Sequence, residues 1–126
     1  MKHVLIACGI LLLVLAFCIF SMSFVRASAA RTLEALRISY QHARNRNFSA
    51  AAAALSAAAQ SWKQHEDFFS SVLSHDEVDQ VAGDLAELRQ YVLVGDYDDY
   101  LAVVSRLMET LRHMRQVELP HYYNIF

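Results

Sequence analysis

Beyond residue 18 the chain has no cysteine, so most of it has no disulfide framework on either side of a membrane. The two cysteines present, Cys8 and Cys18, are ten residues apart, about 15 Å along a helix, which is too far for a mutual bridge. Proline occurs once, at Pro120, and neither proline nor glycine interrupts residues 26–46. There is no G-x-S-x-G elbow, no glycine-rich phosphate loop and no H-E-x-x-H, and the serines lie in alanine-rich or capping contexts. These absences leave no catalytic signature, and the expectation is a protein that is not an enzyme and takes no cofactor. A net charge of -2 gives no basic field for nucleic acid.

Charge is also missing from Val4–Val25, 22 residues of mostly Leu, Ile, Val, Phe and Ala. About 20 apolar residues cross a hydrocarbon core, and only helix satisfies a lone segment's backbone there. Residues 1–3 are read as a short tail, 4–25 as a transmembrane helix, 26–120 as a helical domain and 121–126 as an aromatic tail. Lys2 and His3 before the run and Ala27-Ser28-Ala29 after it also fit a secretion signal. The run is longer than an ordinary signal core and Arg26 stands where a neutral residue is usual, so the anchor is expected to be retained. Orientation cues oppose each other. Arg26, Arg31, Arg37 and Arg44 favour a cytoplasmic domain, and the signal-like start favours the outside.

After the span, Leu33, Leu36, Tyr40 and Ala43 recur at helical intervals, so one rod is expected from about Val4 to Arg46. A break at 45–49 with Asn47 or Ser49 as cap precedes an alanine-rich helix marked by Phe48, Leu55, Trp62 and Phe69. Ser74 and Glu77 form a capping box for a third helix that stops at Gly95. Asp96 caps a fourth carrying Tyr100, Val104, Leu107, Leu111 and Met114. A shift of 49 residues pairs Leu36 with Leu85, Asn47 with Asp96, Phe48 with Tyr97, Leu55 with Val104 and Trp62 with Leu111. Each half is then a helical hairpin, and two hairpins stack into an all-α, antiparallel four-helix domain.

Five arginines fall within residues 26–46, and ten acids against Arg89 alone within 66–99. The first set makes a basic collar near lipid headgroups. The second is either an acidic surface displayed to a partner or cation, or it neutralises the first across the fold with the rest facing water. His65, His75, Glu77 and Asp79 are the densest metal-capable side chains, but they lack a recognised ligand spacing, and a helix N-terminus attracts acids regardless. No metal is assigned to them. Trp62, Phe68 and Phe69 are read as core. Gly9, Ala16 and Ser23, seven apart, form a small-residue seam suited to close helix packing in lipid. Tyr122, Tyr123, Ile125 and Phe126 are too apolar to be left in water, and are expected to fold back or meet a partner.

The span, Asn47-Phe48, the Trp62 helix, His75-x-Glu77-Val78-Asp79, the Leu85, Leu88 and Tyr91 helix and the ending Asn124-Ile125-Phe126 together resemble the short bacterial DUF4363-type proteins. The resemblance implies a single-span or signal-anchored helical protein of the cell membrane facing outward. It carries no catalytic residue. Alanines over residues 50–59 stand where the family usually has a Lys/Glu-rich second helix, which argues against a partner surface in that place. The resulting expectation is an anchored interaction or scaffold protein, accessory to another membrane protein or self-associating. The alternative is an extracytoplasmic sensor or small-ligand or metal module built on His65, His75 and the acids.

Overall fold

The computed structural model describes residues 1–117. Helix α1 runs unbroken from Lys2 to Arg44, 43 residues, roughly 65 Å at 1.5 Å per residue. Its apolar run has the length and composition to cross a membrane and is almost entirely uncovered by the rest of the chain. The rod ends where Arg46 takes a left-handed conformation, φ 59°. The Arg46 N–H then donates to the Ala43 carbonyl (3.0 Å) and the Asn47 N–H to that of His42 (2.9 Å). This Schellman pattern satisfies the last carbonyls of the helix.

Helix α2 (Phe48–Val72) opens with the Asn47 side chain accepting from the Ala50 N–H at 3.3 Å. Helix α3 (His75–Val94) opens with the Ser74 hydroxyl accepting from the Glu77 N–H at 3.3 Å, and it ends at left-handed Gly95, φ 82°. Helix α4 (Tyr97–Val117) is capped by Asp96, whose Oδ1 accepts from the Asp99 N–H at 3.2 Å. All three caps fall where the polar residues just before the apolar stripes place them.

Helix α1 packs on α2 and α4, α3 packs on the same two, and the diagonal pairs keep their backbones apart, α2 and α4 meeting only through side chains such as Phe48 and Tyr97. The result is a closed ring of antiparallel neighbours joined by short loops. The first hairpin repeats in the second at the shift of 49. Arg46 and Gly95 are the left-handed residues, Asn47 and Asp96 are the caps, and Phe48 and Tyr97 stack on each other at 3.5 Å between centroids.

The buried face of α1 begins at Ser21 and continues through Val25, Ser28, Ala29, Thr32, Leu36, Ser39 and Ala43. Most of these are small, as are Ala51 and Ala58 facing inward on α2, and small side chains let helix backbones approach closely. Bulk comes from Trp62, Phe69, Val81, Leu88, Tyr100, Leu107 and Leu111, all fully covered. Packing therefore starts inside the stretch read as membrane span. The bare apolar part of α1 is Val4–Phe20, about 25 Å long.

Candidate functional site

At the base of the bundle, nearest the apolar run, Phe24 makes edge contacts with Phe68 (4.8 Å) and His65 (5.1 Å), and Trp62 stacks on Phe69 at 4.5 Å. The His65 Nδ1 lies 2.9 Å from the Ser61 carbonyl, and because a carbonyl only accepts, the ring donates there. This fills the base with aromatic surface, and the Trp62 side chain is covered.

Midway up, three helices meet through polar groups. The Ser39 hydroxyl donates to the Ala51 carbonyl at 2.8 Å and is also hydrogen-bonded to the Tyr100 hydroxyl. A serine has a single hydroxyl proton, so Tyr100 must be the donor in the second bond. The relay runs Tyr100 to Ser39 to Ala51, tying α4 to α1 to α2. Burial pushes the Tyr100 phenol above its ordinary pKa, and the Ser39 contact partly opposes this. One layer lower, the Thr32 hydroxyl is shared between the Ser28 carbonyl (3.3 Å) and Ser61 Oγ (3.4 Å).

On the outer side of α3 and α4, Arg106 donates to Asp84 Oδ1 at 2.7 Å and to Glu87 Oε2 at 3.2 Å, and Tyr91 donates to Glu87 Oε1 at 2.9 Å. Asp84 is 5% exposed, and its Oδ2 has no partner among the described residues. Beside this cluster an open cleft of about 470 Å³ is lined by Glu77, Gln80, Arg106, Glu109 and His113, among others. It is shallow and of mixed charge.

The tip opposite the membrane run carries Leu93 and Val94, 75% and 79% exposed, beside Gly95 and Tyr97. The Tyr97 hydroxyl donates to the Arg46 carbonyl at 3.1 Å, and the Arg46 guanidinium lies 5.7 Å from the Tyr97 ring centre. Next to them the Asp99 carboxyl is held above its usual range by the neighbouring Asp96 carboxyl.

The metal-capable side chains are not brought together. His65 lies among the base aromatics, Glu77 takes its place in the first turn of α3, and His75 and Asp79 are exposed. Among the described residues no three or more His, Cys, Asp or Glu side chains are arranged to hold a metal ion. Gly9, Ala16 and Ser23 are uncovered on α1, and Ser23 also borders a groove against α4. The Tyr122, Tyr123, Ile125 and Phe126 tail lies outside the described residues. Sequence reasoning missed Leu93 and Val94 as an exposed pair. Their adjacency just before Gly95 puts at least one of them off the buried stripe, and that was the available signal.

The model of DUF4363, a domain of unknown function, matches residues 19–125. No curated protein and no solved structure matches the chain. The matched stretch starts two residues before the first buried position of α1, so it takes in the bundle and leaves out most of the bare apolar run.

Proposed function

The chain belongs to the DUF4363 family, and from that premise we propose that it is a membrane-anchored interaction or scaffold protein, accessory to another membrane protein, with its bundle on the extracytoplasmic side. The observation that carries this reading is the continuity of α1, which is at once the membrane-length helix and a full member of the bundle core. Such a helix presents a packed domain beside the bilayer. The chemistry it presents is apolar surface at the tip, with Leu93 and Val94 uncovered.

The test has two arms. In native membranes the chain should resist alkaline extraction, and release into the wash would end the anchoring reading. A photocrosslinking residue at position 93 or 94 should give one discrete adduct that the same residue at exposed Lys63 does not. Adducts indistinguishable between the positions would remove the tip as the contact. A cysteine at position 63, probed with an impermeant thiol reagent on intact cells, reports the side. A chain lacking residues 121–126 asks whether the tail shares in the contact.

A further inference from the structure

Where α1 leaves the apolar run, a groove of about 350 Å³ opens between α1 and α4, lined by Ser23, Arg26, Ala27, Ala30 and Arg115. Arg115 enters it because α4 runs antiparallel to α1, so the last turn of α4 returns to the level at which α1 emerges. We propose that this groove binds the phosphate of an anionic phospholipid, one headgroup held between two guanidinium groups. The inference rests on the membrane-anchored reading.

Depth is the first argument. Lys2 and Arg26 are the charges that bracket the apolar run, and 24 residues of straight helix separate them by about 36 Å. That distance lies between the roughly 30 Å of the hydrocarbon core and the 40–45 Å of a bilayer with its headgroups. Arg26 therefore stands in the phosphate layer when the run is centred, and Arg115 stands with it.

Pairing is the second: neither arginine meets a carboxylate among the described residues, whereas Arg37 pairs with Glu34, Arg106 with Asp84 and Glu87, and Arg112 with Glu109. The Arg26 Nε is covered from solvent and finds no hydrogen-bond partner among the described residues. A covered guanidinium N–H calls for an acceptor, and phosphate oxygens match the fork of an arginine in a bidentate manner.

The groove wall supplies the third. Ser23, Ala27 and Ala30 put no bulk between the two arginines, and Ser23 adds a hydroxyl donor. Acids crowd the base elsewhere: Asp67, Asp76, Glu77 and Asp79 sit on α2 and α3, which contribute nothing to the groove. A headgroup with a net negative charge and no cation is favoured, because a choline ammonium would be set against the guanidinium pair.

The test reconstitutes the full chain into phosphatidylcholine nanodiscs containing a minor fraction of phosphatidylglycerol. Lipids that stay bound on ejection are identified by native mass spectrometry. Phosphatidylglycerol should be retained in preference to phosphatidylcholine. R26Q/R115Q should lower that retention at least about tenfold, the loss expected from two charge-assisted hydrogen bonds, with circular dichroism unchanged. R31Q/R37Q, which leaves the groove intact, should retain the lipid. Equal retention by R26Q/R115Q, equal retention of the two lipids, or displacement by millimolar inorganic phosphate would each overturn the proposal, the last by making the groove a site for free anions. A chain that does not enter nanodiscs at all fails the anchoring reading and takes this one with it. A chain that enters them without lipid preference overturns the groove alone.

Discussion

Replacing Ser39 by alanine leaves the Tyr100 hydroxyl, which is fully buried, without an acceptor. The penalty for such an orphan is about 1–3 kcal/mol. Replacing Tyr100 by phenylalanine is gentler. Ser39 keeps its bond to the Ala51 carbonyl, and only the second interaction of its oxygen is lost, about 0.5–1.5 kcal/mol. Combining the two removes both polar groups at once and keeps nearly the same shape. S39A/Y100F should then be no less stable than S39A alone, with a coupling of about 1 kcal/mol or more between the sites. The order of stability is wild type, Y100F, then S39A level with the double variant. Denaturant unfolding of the full chain in mild detergent, followed by near-ultraviolet circular dichroism, reads it directly. For a domain near 100 residues each kcal/mol is also about 4–8 °C in Tm. The relay has a pH signature as well. Because the folded state raises the Tyr100 pKa, mainly through burial, the neutral phenol's contribution is fully present below the unfolded value near 10. It is lost as pH rises through the folded value, and Y100F should flatten that alkaline fall. Strictly additive costs, or a Y100F that is less stable than S39A, would refute the proton assignment.

Three further outcomes follow from other parts of the bundle. Gly95 has φ 82° and open space where a Cβ would be, so G95A should cost the backbone term alone, about 1–2 kcal/mol, read as a lower denaturation midpoint at unchanged m. R106M leaves the buried Asp84 carboxylate without its cation and should destabilise by about 1–3 kcal/mol, with D84N/R106M recovering part of the loss in the same assay. L93S/V94S removes exposed apolar surface at the tip and should change stability by less than about 0.5 kcal/mol in the same denaturant assay, since both side chains stand in solvent; a larger loss would mean that they pack in the fold.

Local chemistry made the elements legible. Asn47, Ser74 and Asp96 each announce a helix start through one side-chain oxygen, and Gly95 announces an end, so those boundaries are set by residues that act within a single turn. The repeat of Asn47-Phe48 in Asp96-Tyr97 carried the pairing of hairpins, and the two aromatics do stack across the tip. Register was not legible. The Tyr100–Ser39 bond and the Arg26–Arg115 groove join positions 61 and 89 residues apart, and only the packed bundle decides which turns meet. Hydropathy also cannot distinguish lipid from protein interior. Ser21 and Val25 read as membrane residues because they lie in a greasy run, whereas α1 buries them in the bundle. Arg46 in the left-handed region was equally hidden, since its counterpart in the second hairpin is a glycine and nothing local marks an arginine for that role.

The rod has no joint. Between Phe20 and Arg44 there is neither proline nor glycine to absorb a bend, so a turn of the buried segment about its axis becomes a turn of the whole head, degree for degree. About 27 Å of helix separates Arg26 from Arg44. Leu93 and Val94 are thereby carried at a set height above the lipid, like a mark on a ruler, and any surface that meets them must stand equally tall.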